Sequence, residues 1–299
     1  MLELDGLRRS FGSTLALDDL SFAAHAGRML GFVGPNGAGK TTAMRIVLGV
    51  LEPDAGAVRW RGRPVDAAVR RRFGYMPEER GLYPKMRVRD QLVHFARLHG
   101  LDAATAAAAA DAWIERLGLS TRAGDRVEEL SLGNQQRVQL GVALVHEPEV
   151  LVLDEPFSGL DPTGVDVMSG VLAERAQAGV PVVFSSHQLE LVERLCEDVA
   201  IVNRGRLVAH GAVETLRERG RGAVQQIRVR VEGDGSGDWV AAVPGAEVAA
   251  QEQRGLLVRL PTGTATDGLL DAARAAGTVT HFALERPSLA DLFRQSVAA

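Results

Sequence analysis

The stretch Gly31–Ile46, "GFVGPNGAGKTTAMRI", places four glycines where an apolar run passes into a helix-like pattern. Glycine weakens strands and helices alike, so a specific requirement must explain it. From Gly34 the residues match G-x-x-x-x-G-K-[ST], which ends in Lys40 and Thr41. Small residues let consecutive backbone N–H groups curl around a phosphate, and a helix that begins near Lys40 adds unpaired N–H groups and a positive dipole end.

This motif predicts a nucleoside triphosphate site in a strand–loop–helix unit. We expect Lys40 to reach the β- and γ-phosphates and the Thr41 hydroxyl to ligate Mg²⁺. Of the 34 basic residues only Lys40 and Lys85 are lysine, which indicates that position 40 needs a compact ammonium group. The residues predicted to bind the nucleotide here are Gly34, Pro35, Asn36, Gly37, Ala38, Gly39, Lys40, Thr41 and Thr42.

Composition limits the class of protein. With 299 residues, 46 % of them hydrophobic, the chain can form one large domain and a smaller one. The net charge is -4 and no segment forms a basic stripe, which argues against nucleic acid as the main partner. No apolar run approaches the length of a membrane span, so we expect a soluble protein without a span or secretion signal. The single cysteine, Cys196, fits a reducing cytoplasm.

A second motif, "VLVLDEPFSGLDP" (Val150–Pro162), predicts a buried parallel strand that ends in two carboxylates. Ligands of open α/β sheets gather at the carboxyl ends of the strands. Asp154 should therefore face the Mg²⁺ that Thr41 ligates, and Glu155 should orient or polarise the attacking water. A third strand, "VPVVFSSH", ends at His187 on the same edge, where the imidazole could hydrogen-bond a γ-phosphate. We predict Glu155, His187 and Lys40 as the catalytic residues.

The order and spacing of these motifs resemble those of the ATP-binding subunits of ABC transporters, from residue 1 to about residue 220. The resemblance implies ATP and Mg²⁺ as ligands and Phe11 as the aromatic residue that stacks on adenine. "LSLGNQQRVQL" is similar to the family's signature motif, whose Ser131 and Gly133 would contact the γ-phosphate in a partner subunit. "SGLD", which ends at Asp161, matches the loop after the catalytic glutamate, and His187 matches the switch histidine.

Two positions depart from the family pattern. The signature has Leu132 and Asn134 where the family usually has glycine and glutamine, and we expect the site to work because Gly133 is retained. After the third strand the family places a glutamine that senses Mg²⁺, whereas "FGYMPEERGLYPKM" places Glu78 there. We predict that Glu78 contacts the nucleotide and the metal and that its carboxylate slows or gates hydrolysis.

The sequence predicts an α/β fold: a P-loop NTPase core of the ABC ATPase type with a helical subdomain, followed by a small C-terminal α+β domain. The predicted bounds are 1–220 for the ATP-binding domain, about 85–145 for the helical subdomain and 221–299 for the accessory domain. The ending "PSLADLF" resembles that of ATP-binding subunits of bacterial drug and sodium exporters. In the helical subdomain the candidate contact surface for a membrane protein comprises Glu79, Arg80, Leu82, Tyr83 and Met86.

By this resemblance we expect a cytoplasmic ATPase that dimerises with a second copy on binding ATP. It would drive export through a separately encoded polytopic membrane permease and so lie on the inner face of the plasma membrane. Three alternatives share the cassette: a translation factor on ribosomes, a DNA-repair or chromosome ATPase, and a purely regulatory ATPase. The chain has one P-loop, no basic linker and no long coiled-coil insertion, which disfavours the first two. The transported substrate stays open.

Overall fold

The computed structural model describes residues 1–79, 81–219, 224–233, 236–252, 255–285 and 288–290. The strands are β1 (Leu2–Phe11), β2 (Thr14–Ala24), β3 (Met29–Val33), β4 (Ala55–Trp60), β5 (Arg63–Pro64), β6 (Phe73–Met76), β7 (Val150–Leu153), β8 (Val182–Ser186), β9 (Asp198–Asn203), β10 (Arg206–Ala212), β11 (Val224–Glu232), β12 (Glu247–Glu252), β13 (Gly255–Pro261) and β14 (Thr278–Glu285). The helices are α1 (Lys40–Val47), α2 (Ala67–Arg70), α3 (Val88–Leu98), α4 (Ala103–Arg116), α5 (Leu132–Leu144), α6 (Pro162–Gln177), α7 (Leu189–Leu195), α8 (Val213–Arg219) and α9 (Asp267–Ala276). Short 3₁₀ turns occupy Ser120–Arg122, Val127–Glu129 and Asp238–Ala242.

The described chain forms two compact units, the first from Met1 to Val213 and the second from Glu214 onward. The units therefore divide shortly before the boundary that the sequence suggested after residue 220. The predicted fold class is confirmed: the first unit carries a parallel α/β sheet and the second a small α+β domain. In the described part of the chain, no helix is both long enough and apolar enough to cross a bilayer.

A six-stranded sheet in the order β10-β9-β3-β8-β7-β6 forms the centre of the first unit. Its strands are parallel except for β10, which pairs antiparallel with β9 at one edge. Because parallel strands end on the same side, the loops after β3, β6, β7 and β8 all emerge at one edge of the sheet. This topology brings together motifs that lie far apart in the sequence.

A second, antiparallel sheet in the order β2-β1-β4-β5 packs over α1. The helix buries Met44 and Ile46 in a core that also holds Leu4 of the antiparallel sheet and Phe32 of β3. The helix is thus fixed between two sheets, and the loop that precedes it is fixed at both ends. On the other side of β3, a Cβ at Gly31 would lie 2.2 Å from a methyl carbon of Val192, so glycine lets α7 approach the strand closely.

The helical subdomain contains α3, α4 and α5. Asp102 caps α4 by accepting hydrogen bonds from the backbone N–H groups of Ala104 and Thr105. The apolar spacing and strong helix formers of "ATAAAAADAWIERLGL" predict a helix. The structure confirms it as α4, which buries Trp113 and Ile114. Arg80, one of the predicted contact residues, lies outside the described residues.

The second unit contains an antiparallel sheet in the order β12-β13-β11-β14 with α9 over one face. Alternate residues of β11 and β13 point into its core, among them Ile227, Val229 and Val258, and Leu269 of α9 covers them. The sequence patterns predict strands at "VQQIRVRVE", "GLLVRLP" and "TVTHFALE" and a helix at "TDGLLDAARAAG". The structure confirms them as β11, β13, β14 and α9, whereas β12 was missed. The sequence also predicts a last helix over "SLADLFRQSVA", of which residues 291–298 lie outside the described residues.

Candidate nucleotide-binding site

A pocket of about 250 Å³ opens at the carboxyl edge of the parallel sheet. It brings together the loop after β3, the N-terminus of α1, and the carboxylates that follow β6 and β7. The described residues that line it are Ala16, Asn36, Gly37, Ala38, Gly39, Lys40, Thr41, Thr42, Glu78, Asp154 and Glu155. Most of the predicted phosphate- and metal-binding residues therefore share one cavity.

The phosphate loop has a conformation that requires glycine at its last position. Gly39 has a φ of +103°, and an added Cβ would lie 2.6 Å from the carbonyl oxygen of Ala16. The next residue, Lys40, begins α1 and is only 7 % exposed. Its ammonium donates to the carbonyl oxygens of Gly34 (2.7 Å) and Pro35 (3.3 Å). The loop thus holds a positive charge beside the free N–H groups of a helix N-terminus, which is suited to bind phosphate.

Asp154 follows β7 and is almost completely buried. Its Oδ1 accepts a hydrogen bond of 2.5 Å from the Ser185 hydroxyl, whereas its Oδ2 is buried and has no hydrogen-bond partner in the described structure. A buried carboxylate oxygen without a partner is costly unless a cation binds it. Thr41 lines the same pocket, and carboxylate and hydroxyl oxygens are the hard ligands that Mg²⁺ prefers. The residues present therefore fit a magnesium ion.

Glu155 has the left-handed backbone conformation, with a φ of +50°, which is uncommon for a residue other than glycine. Its N–H donates to the Ser185 hydroxyl at 2.8 Å, and its Oε2 lies 3.0 Å from Nδ1 of His187. Burial raises the pKa of the Glu155 carboxyl, while His187 and Lys40 oppose the shift. A carboxylate with a raised pKa at the pocket wall is a stronger base toward a water molecule.

Seven predicted residues lie outside the described lining of the pocket: Phe11, Gly34, Pro35, Ser131, Gly133, Asp161 and His187. Phe11 ends β1 with its ring 48 % exposed, and the Arg9 guanidinium lies 5.1 Å from the ring centroid. Ser131 caps α5, where its hydroxyl accepts from the backbone N–H of Asn134, and Gly133 follows in the first turn. Asp161 caps α6 by accepting a 2.8 Å hydrogen bond from the N–H of Gly164. Their roles toward nucleotide stay predictions.

Sequence reasoning missed two polar residues that support the acidic pair. Ser185, fully buried in β8, donates to Asp154 and accepts from the Glu155 N–H. Gln136, buried in α5, donates through Nε2 to the Pro156 carbonyl oxygen at 3.0 Å. The available signal for both was a polar residue on an otherwise apolar strand or helix face. Such a residue is buried, and a buried polar group requires a hydrogen-bond partner.

Comparisons with known proteins cover both units. The family model for ABC transporters matches residues 17–158, and the model for the C-terminal domain of DrrA1-3-like ATP-binding proteins matches residues 211–297. Over 299 residues the chain is 37 % identical to the uncharacterized ABC transporter ATP-binding protein YhaQ of Bacillus subtilis, covering all of this chain and 99 % of that protein. It is 38 % identical over 218 residues to Nod factor export ATP-binding protein I of Paraburkholderia xenovorans, with 72 % of each chain covered.

Solved structures agree with this result. The ATP-binding subunit of an ABC transporter superposes with a TM-score of 0.68 at 30 % identity, over 75 % of this chain and 95 % of that one. A dimeric bacterial ABC transporter cassette, MJ0796, shares the fold with a TM-score of 0.65 at 20 % identity, over 71 % of this chain and 98 % of that one. Because a relative matches along the whole chain and the pocket has the expected geometry, this chain belongs to the ATP-binding proteins of ABC transporters and is an ATP-hydrolysing cassette.

Proposed function

We propose that this chain is the ATP-binding subunit of an exporter and drives transport through a separately encoded, polytopic membrane permease. The observation that carries the ATPase part is the buried Asp154–Glu155 pair facing the phosphate loop. Two similarities support export: the match to the DrrA1-3-like C-terminal domain and the relatives named for Nod factor export. In this role the protein lies in the cytoplasm, at the inner face of the plasma membrane.

We assign roles to the predicted site residues from their chemistry and position. The loop N–H groups and Lys40 bind the phosphates, and Phe11 stacks on the adenine ring. Thr41 and Asp154 hold Mg²⁺, with Glu78 at its water shell, and the ion offsets the negative charge of the phosphates. Glu155 orients the attacking water and accepts its proton, while His187 keeps the Glu155 carboxylate aimed and contacts the γ-phosphate.

A second copy of the chain would complete each site. Ser131 and Gly133 lie at the exposed N-terminus of α5, where a hydroxyl and free N–H groups can bind an anion. In the proposed ATP-dependent homodimer they contact the γ-phosphate held by the other copy, and Asp161 lies in the same interface. A nucleic-acid partner is not expected, since the net charge is -4.

The permease is proposed to dock beside the connection between β6 and α3. The Tyr83 ring is 50 % exposed there and stacks on Phe95 of α3 at 6.1 Å between centroids. Leu82 and Met86 are half-buried neighbours, and Glu79 is exposed. An exposed aromatic ring that packs against a helix and has apolar neighbours suits a helix of a membrane protein.

The test is a pull-down of tagged Glu155→Gln from solubilised membranes with ATP present, with Glu52→Gln, an exposed glutamate outside the pocket, as the matched control. Glu155→Gln should bind ATP, dimerise and retain a polytopic membrane protein while hydrolysing ATP far more slowly than the control. Recovery of ribosomes or DNA-bound proteins would favour the regulatory, non-transport alternative. Wild-type turnover by Glu155→Gln would remove the role assigned to Glu155.

A further inference from the structure

Two buried glutamines hold the connection between β6 and α3, residues 77–87, from two different helices. Gln91 on α3 is 0 % exposed and Gln139 on α5 is 2 % exposed. Glu78, the carboxylate that lines the phosphate pocket from this connection, follows Pro77 directly. The buried amides therefore lie behind a residue of the pocket, and neither lines the pocket itself within the described residues.

Their hydrogen bonds fix the backbone on both sides of Glu78. Gln139 donates through Nε2 to the carbonyl oxygen of Pro77 at 2.5 Å and to that of Glu79 at 3.4 Å. Gln91 accepts through Oε1 from the backbone N–H of Tyr83 at 2.6 Å. The two carbonyl groups that accept from Gln139 belong to the residues directly before and after Glu78, so this one side chain contacts the backbone on both sides of Glu78.

The remaining polar atoms of both amides point to a role other than stability. Gln139 Oε1 and Gln91 Nε2 are buried without a hydrogen-bond partner in the described structure. An unpaired buried polar atom destabilises the fold, so apolar residues such as leucine would suit these two positions better if packing were their only task. The glutamines therefore do something for the connection that an apolar side chain cannot do.

We propose that Gln91 and Gln139 are positioning residues that hold Glu78 at the phosphate pocket and tie it to α5. The inference rests on the proposed binding of ATP and Mg²⁺ in that pocket. Ser131 caps the same helix eight residues before Gln139, so about 12 Å of continuous helix joins the Glu78 connection to the signature serine. A displacement of α5 would thus move the backbone on both sides of Glu78.

The test uses Gln139→Met and Gln91→Met, which keep side-chain length and remove the amide. Gln225→Met is the matched control, because Gln225 also donates to a backbone carbonyl, that of Thr264 at 2.7 Å, but in the second unit. The first measurement is hydrogen exchange of peptides covering residues 77–87 in the nucleotide-free protein. We expect exchange about tenfold faster in both variants and unchanged in the control. Unchanged exchange in both variants would overturn the inference.

The second measurement is the Mg²⁺ concentration that gives half the maximal ATPase rate. We expect Gln139→Met to raise it about tenfold, as is typical for groups that orient metal ligands, and the shift to disappear in a Glu78→Gln background. A shift of the same size with and without the Glu78 carboxylate would show that Gln139 does not act through Glu78, and would refute the proposal.

If the proposed function is wrong, the wild-type protein will not hydrolyse ATP. The hydrogen-exchange measurement does not depend on hydrolysis, so it would still decide whether the amides of Gln91 and Gln139 hold the connection. If Gln139→Met does not fold, Gln139→Asn keeps an amide on a side chain one methylene shorter. It should speed exchange of the same peptides, because its amide cannot reach both carbonyls; exchange at the wild-type rate would count against the proposal.

Discussion

Removing the Ser185 hydroxyl should destabilise the first unit more than any other loss of a single oxygen atom in the pocket region. In Ser185→Ala the buried Asp154 carboxylate loses its 2.5 Å hydrogen bond, and the Glu155 N–H loses its 2.8 Å acceptor. A hydrogen bond to a charged group contributes about 1.5–3 kcal/mol and a neutral one about 1 kcal/mol. We therefore expect a loss of about 2–4 kcal/mol, a large part of the roughly 5–15 kcal/mol that stabilises a typical fold.

The assay is urea unfolding followed by tryptophan fluorescence in a Trp239→Phe background, so that the signal comes from Trp60 and Trp113 in the first unit. Ser169→Ala is the control, because this serine donates only to the Asp166 carbonyl of its own helix, and its loss should cost less than about 0.5 kcal/mol. Equal stability of Ser185→Ala and the control would refute the idea that the hydroxyl holds the acidic pair.

Three further outcomes are expected. Burial and the adjacent His99 ring lower the pKa of His146 to about 4, so between pH 6.5 and about 4 the unfolded chain binds a proton that the folded chain does not. Stability should fall by about 2 kcal/mol from pH 7.5 to 5, and urea titrations of His146→Phe should lack this part of the fall. Gly39→Ala should lose nucleotide binding and about 1–3 kcal/mol of stability, because Gly39 has a positive φ and the added methyl group would meet the Ala16 carbonyl oxygen. The control Gly170→Ala should be neutral or slightly stabilising, because Gly170 of α6 has open space around it. Phe11→Ala should bind ATP about tenfold more weakly by calorimetry and inorganic triphosphate equally well; equal weakening of both would exclude stacking on adenine.

The parts of the site that form local patterns were predictable from the sequence. The phosphate loop could be predicted because Gly39, Lys40 and the flanking strand and helix all lie within a short stretch of sequence. Asp154 and Glu155 could be predicted because a run of buried apolar residues ends at them. Their meeting in one pocket followed from the common direction of parallel strands, and the structure confirms it.

The partners of the supporting side chains could not be predicted, because they are remote in sequence. Ser185 bonds to Asp154 across 31 residues, and Gln139 bonds to Glu79 across 60. A polar residue on an apolar face indicates that some partner exists, but no periodicity records which residue that partner is. Strand β12 was missed for another reason: "EVAAQE" contains one β-branched residue, and its pairing with β13 is what makes it a strand.

Because the chain has only two lysines, few side-chain amines compete for a reagent that modifies amines. Lys40 is buried with its ammonium on the carbonyls of the phosphate loop, whereas Lys85 is exposed before α3. An acylating reagent should therefore modify Lys85 quickly and Lys40 slowly, and mass spectrometry can follow each site separately. A phosphate ligand bound to Lys40 should slow its acylation further, so with Lys85 as the internal standard the acylated fraction of Lys40 reports the pockets that hold no ligand.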